Sequence, residues 1–180
     1  MGNESNRIFY GAAIQGEKDR GARAGVHASI IQAIRGRGFD VVSSHTSGTT
    51  REEAARLLEE AIGPLPSEGQ ERYMYVRGKM IEGVEGEIEA AIFEVSTPSL
   101  GTGIELAHAY LRSRMGLKQV PILVLYEEDY WPNQLSTMVR GISQDEMPFV
   151  KVQQYSNVED AAGYIDEFLS GLSTTLKTFL

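Results

Sequence analysis

The chain contains no cysteine. Disulfides, thiolate nucleophiles and cysteine-ligated zinc are excluded together. Basic residues are also scarce: 17 Lys plus Arg stand against 25 Asp plus Glu, for a net charge of −8. A binder of polymeric nucleic acid would need a basic patch that this sequence does not show, so no such partner is expected. A mononucleotide remains open, because backbone N–H groups at a helix N-terminus and a few hydroxyls can meet its phosphate. No apolar run approaches the ~18 residues of a membrane span, so no membrane partner is expected. The opening MGNESNRIFYGAA lacks a charged stretch followed by an apolar one, and a soluble, cytoplasmic protein is expected. The three histidines show no HExxH spacing and no acidic cluster has a ligand pattern; neither a metal nor an organic cofactor is expected.

What the chain does have is length for one full core: 180 residues, 42% of them hydrophobic, read as one domain over 1–180. Arg7 to Tyr10 reads as a strand that breaks at Gly11-Ala12-Ala13, and a helical pattern through Val26, Ile30, Ile31 and Ile34 follows. Phe39 to Val42 is a second strand. Thr50 with Glu53 forms a capping-box signature for a helix through Leu57, Leu58 and Ile62, which Pro64 and Pro66 end. Gly63 to Arg72 reads as an exposed excursion. Tyr73 to Ile88 is helical, Ala90 to Val95 and Pro121 to Tyr126 are buried strands, Phe149 to Val152 is the last strand, and Val158 to Leu176 is a closing helix. This alternation implies an α/β fold with a parallel sheet covered on both faces. Ligands bind such sheets beyond the carboxyl ends of the strands, where the loops at Gly11, His45 and Ser99 fall.

The stretch FEVSTPSLGTGIELAHAYL, Phe93 to Leu111, carries the most chemical information. An apolar run ends, a Gly/Ser/Pro turn follows, and a helix begins around Glu105. A carboxylate one turn inside a helix lies near the positive end of the macrodipole, which is expected to hold it ionised as a nucleophile. Ser99, Gly101 and Gly103 can offer the same turn's backbone donors to a phosphate. The plain alternative is an ordinary loop with a solvated glutamate. His45 is a pocket candidate against an exposed loop histidine. Glu94, at the end of the buried strand, could position sugar or water, or serve as an ion-paired structural carboxylate. His27 and His108 fall within helices and read as packing or surface residues. Tyr130 and Trp131 read as interface packing before base stacking.

Three segments, IFYGAAIQGEKDR, FEVSTPSLGTGIELAHA and LSTMVRG, together resemble the nucleoside 2-deoxyribosyltransferase superfamily, most closely its 2'-deoxynucleoside 5'-phosphate N-hydrolases. The likeness runs over roughly residues 7 to 170. It implies a flavodoxin-like, five-stranded parallel sheet and a homodimer or higher homo-oligomer. It further implies cleavage of the N-glycosidic bond of a nucleotide through Glu105 and a covalent glycosyl intermediate. Substrate binding is implied for Phe9, Ala13, Ile14, Gln15 and Gly16 near the N-terminus, for His45 and Glu94, and for Ser99 and Gly101 at the 5'-phosphate. Ser136 and Met138 are implied to come from a neighbouring subunit, and the serine favours hydrolysis over base transfer.

Four positions depart from the pattern. Ala13 and Gln15 stand where the hydrolases carry a serine and an arginine, which removes a charge-assisted, bidentate phosphate contact. The aspartate near the base maps to Ile81, with Glu82 adjacent but about 100° around the helix. The strand-1 tyrosine maps to Phe9. Base exchange between deoxyribosides, hydrolysis of ribonucleotides, and nucleotide binding without turnover stay open at this point.

Overall fold

A computed structural model describes residues 6–13, 17–128 and 135–178, the side chains of 17–19 and 173–178 excepted. In chain order the elements are β1 (Arg7–Ala12), α1 (Glu17–Gly36), β2 (Asp40–Val42), α2 (Arg51–Ile62), α3 (Gln70–Glu85), β3 (Ala90–Glu94), α4 (Leu100–Tyr110), β4 (Ile122–Glu127), α5 (Thr137–Arg140), β5 (Val150–Tyr155) and α6 (Val158–Thr178), with 3-10 turns at Ser44–Ser47 and Arg112–Met115. The five strands pair in the order β2-β1-β3-β4-β5, all parallel. This is the flavodoxin-like doubly wound order.

Strand period sorts the core into two halves. Ile8, Tyr10, Ala90, Ile92, Leu123 and Leu125 face Ile30, Ile31 and Ile34 of α1 and Ala161, Ile165 and Leu169 of α6. Their sequence neighbours Phe9, Ala91, Phe93, Ile122 and Val124 face Val84 of α3 and Leu106 and Ala109 of α4. Both faces are therefore covered, which is why the strands are near-continuous apolar runs instead of alternating ones.

Two strand ends differ from expectation. β1 continues through Gly11 and Ala12, which pair with Phe93 and Glu94 of β3. Small residues had suggested a break, but ladder bonds need only backbone, and here the missing side chain is used: a Cβ at Gly11 would stand 2.6 Å from the Phe93 ring and 3.1 Å from Glu105 Oε2. β5 runs on to Tyr155, whose side chain is buried and hydrogen-bonded within the fold. The α2 capping signature is realised with a shift: Thr50 Oγ1 accepts from Glu53 N at 3.1 Å, while the Glu53 carboxylate accepts from Thr49 N at 2.8 Å, one residue further out than in the reciprocal box. α3 begins at Gln70, inside the segment read as an exposed excursion.

Candidate active site

The strand order turns at β1 and β3, so the crevice of this fold opens above Ala12 and Glu94. A cavity of about 450 Å3 lies there. Its floor is Ala12, its walls are Ser43 and His45 after β2 and residues 72–81 of α3, and α4 contributes Ser99, Gly101, Thr102, Ile104 and Glu105. Ser99 is the N-cap of α4, with its Oγ accepting from Thr102 N at 3.3 Å. One turn thus caps the helix and lines the cavity.

Glu105 reaches over Gly11 into this space. Burial pushes its carboxyl up to about 7, the reverse of the expectation that the helix end would hold it ionised. Position explains the correction. Glu105 is the sixth residue of α4, beyond the first turn where unpaired N–H groups act. Ser99 already satisfies the Thr102 and Gly103 N–H groups through its side chain and carbonyl. Among the described residues no hydrogen bond to the Glu105 carboxylate is found, and desolvation prevails.

His45 also enters the cavity. Ser43, at φ 73° the one non-glycine residue with positive φ among those described, turns the chain after β2. Its Oγ lies 3.2 Å from His45 Nδ1. The imidazole is buried, and desolvation lowers its pKa to about 4, so it is a neutral hydrogen-bonding group at pH 7, not a cation.

Other sequence candidates are placed elsewhere. Phe9 is fully buried, with its ring centroid 5.8 Å from that of Phe93 and Gly83 of α3 close against it, and it does not line the cavity. Glu94 follows the strand period to the opposite face of the sheet. There it accepts from Arg23 Nη2 at 2.9 Å, Tyr155 Oη at 3.1 Å and Ser96 N at 3.1 Å. The structural reading of Glu94 is the one the geometry supports. Burial opposes the Arg23 charge, yet Glu94 and Tyr155 beside it hold the guanidinium protonated beyond its ordinary range. Glu82 pairs with Lys79 at 2.7 Å and lines a different groove at the β2 edge, whereas Ile81 lines the cavity; the glutamate does not substitute for an acid at position 81. Ala13 is buried at the end of β1, and Ile14, Gln15, Gly16, Tyr130 and Trp131 lie outside the described residues. His27 is buried against Tyr10, and His108 pairs with Glu85 on the surface of α3 and α4.

Ser136 and Met138 lie across α4 from the glutamate. Ser136 caps α5, with its Oγ accepting from Met138 N at 3.3 Å. Both residues border a second, larger cavity of about 750 Å3, of which Ser99 and Thr102 form the wall shared with the first. Leu100 and Met138 on its rim are 90% and 80% exposed. Among the described residues no group of three or more His, Asp or Glu side chains could hold a metal ion, and no helix is long and apolar enough to cross a membrane.

No family model matches the chain. A protein of Thermofilum pendens named "Putative 2'-deoxynucleoside 5'-phosphate N-hydrolase 1" is 32% identical over 165 residues, covering 92% of this chain and 96% of that protein. The chain belongs to the 2'-deoxynucleoside 5'-phosphate N-hydrolase family. For a member of this family the meeting of Glu105 with the Ser99 turn in one cavity is the informative arrangement. Ser43 after β2 and residues 72–80 of α3 are parts of the site that the sequence did not point to. A helical pattern from Tyr73 was legible, but nothing in the order of residues said which side of that helix would line the cavity.

Proposed function

We propose that this protein hydrolyses the N-glycosidic bond of 2'-deoxynucleoside 5'-monophosphates, releasing free base and 2-deoxyribose 5-phosphate. One observation carries the reading: a carboxylate and a helix N-terminus able to receive a phosphate open into the same 450 Å3 space, which suits a nucleotide. The name of the Thermofilum relative supports it.

In the reaction Glu105 Oε attacks C1' from below the sugar as the bond to the base nitrogen breaks, with positive charge developing on the ring oxygen and C1'. The product is a glycosyl ester of Glu105. The bond's electron pair leaves with the base nitrogen, which takes up a proton; water then attacks C1' and gives up a proton in its turn, the ester bond breaks, and the carboxylate is regenerated with net retention at C1'. Gly11 serves this step by leaving room beneath the carboxylate. The Ser99 and Gly101 turn holds the 5'-phosphate, and a second copy of the chain supplies Ser136 and Met138 to complete the site. The exposed Leu100 and Met138 are the apolar surface on which that copy rests.

The test is chromatographic. Each deoxynucleoside and ribonucleoside 5'-monophosphate is incubated with the protein, with and without an added free base, and released and exchanged bases are quantified. Free base from deoxynucleotides in the wild type, and none with Glu105→Ala, is the expected result. Undiminished turnover by Glu105→Ala would remove the mechanism, and exchange into the added base would make the protein a transferase.

A further inference from the structure

The wall of the cavity on α3 still lacks a task. Among the described residues, Glu105, Arg72 and Arg77 are the lining residues able to carry full charge at neutral pH, since His45 is held neutral. Arg72 is engaged: its Nε donates to Pro66 O at 2.8 Å and its Nη1 lies 3.7 Å from Glu68 Oε1. Arg77 is exposed, and among the described residues it has neither an ion pair nor a hydrogen-bonded side-chain partner.

The height of Arg77 on its helix follows from two observations. The C-terminal ends of α3 and α4 meet, because His108 Nδ1 lies 2.6 Å from Glu85 Oε1 and Arg112 Nη1 donates to Val84 O at 2.5 Å. Their N-terminal halves share the cavity, so the two helices run side by side in the same direction. Counting back eight residues from His108 and from Glu85, about 12 Å at the helical rise, sets Arg77 level with Leu100, in the turn of Ser99 and Gly101. Four residues back instead sets Ile81 level with Ile104, beside the reactive carboxylate.

We propose that Arg77 is the cation that recognises the substrate's 5'-phosphate, a role that rests on the nucleotide reading above. The backbone donors at Ser99 and Gly101 hold one side of the phosphate, and the planar guanidinium takes two of its oxygens from the α3 side. The charge has a smaller effect on the chemistry. A phosphate dianion brought near Glu105 would disfavour the ionised carboxylate that must attack C1', and Arg77 offsets that repulsion. Selectivity for phosphorylated over free nucleosides therefore comes in large part from a side chain on α3.

The test compares wild type, Arg77→Ala and Arg77→Lys on a deoxynucleoside 5'-monophosphate and on the matching nucleoside. Arg77→Ala is expected to raise the nucleotide KM about tenfold or more with kcat within about threefold, and to lower the nucleotide-to-nucleoside ratio of kcat/KM by the same factor. Arg77→Lys, which keeps the charge and loses the fork, is expected to fall between. Calorimetric binding of 2-deoxyribose 5-phosphate should weaken in parallel. An unchanged nucleotide KM, or equal losses on nucleotide and nucleoside, overturns the assignment. Should the wild type cleave no nucleotide, the function proposed above fails by itself, and the calorimetry still decides Arg77: sugar-phosphate affinity equal in wild type and Arg77→Ala, or absent from both, overturns it.

Discussion

Gly11 and Glu105 show how much of a site depends on what one residue omits. The Phe93 ring and the Glu105 carboxylate occupy the volume that any side chain at position 11 would take. Gly11→Ala is expected to cost about 1–3 kcal/mol, as overpacking of a filled core does, and to slow base release by displacing the carboxylate; urea denaturation and turnover measured together check both. Glu105 carries a second consequence. Its carboxyl, near 4.5 when exposed to water, is raised to about 7 in the fold. Below pH 4.5 both folded and unfolded chains are protonated there and nothing is lost. As pH rises through the window up to 7 the unfolded chain releases its proton first, so stability falls, by at most about 3 kcal/mol once the folded group has ionised. Glu105→Gln should therefore unfold at higher urea concentration than the wild type at pH 8, and at the same concentration at pH 4. The rate of base release should rise with pH through a limb near 7, because in the proposed mechanism only the ionised form attacks. Glu105 was legible in the sequence from its motif; its protonation was not, because burial is set by α3 and the β2 loop, distant in the chain.

At the scale of elements, α4 depends on Ser99 in two ways. Its hydroxyl caps the helix and its backbone opens into the cavity. Ser99→Ala should cost about 1 kcal/mol, while Ser99→Gly should recover all but a few tenths of it, because glycine is a tolerated N-cap. If phosphate recognition uses the hydroxyl itself, both variants should raise the nucleotide KM alike, so thermal melts and kinetics will separate the cap from the contact. Most element identities were readable, since apolar period and capping residues are local signals: α2 opens at the Thr50 cap, and β3 begins at Ala90. Strand ends at Gly11, Ala12 and Tyr155 were not, because pairing partners in β3 and β4 decide them. The turn at Ser43, with its positive φ on a non-glycine residue, left no sequence signal at all.

Across the whole molecule, the parallel order follows from alternating strands and helices, whereas the buried bridge of Arg23, Glu94 and Tyr155 joins α1, β3 and β5 across separations that no local pattern reports. The association proposed here has its own test. Met138→Glu places a charge on an exposed apolar rim where it costs an isolated chain little. Sedimentation velocity should show a wild-type assembly and a monomeric variant with base release largely lost; a wild type that is monomeric and fully active would refute it.

The partition formed by Ser99 and Thr102 has one more implication. The same two residues bound the cavity proposed to receive a nucleotide and the one proposed to face a neighbour. Any free energy transmitted through that partition acts equally in both directions. If nucleotide tightens assembly by some factor, assembly must tighten nucleotide by the same factor, and the protein's affinity for its substrate becomes a function of its own concentration.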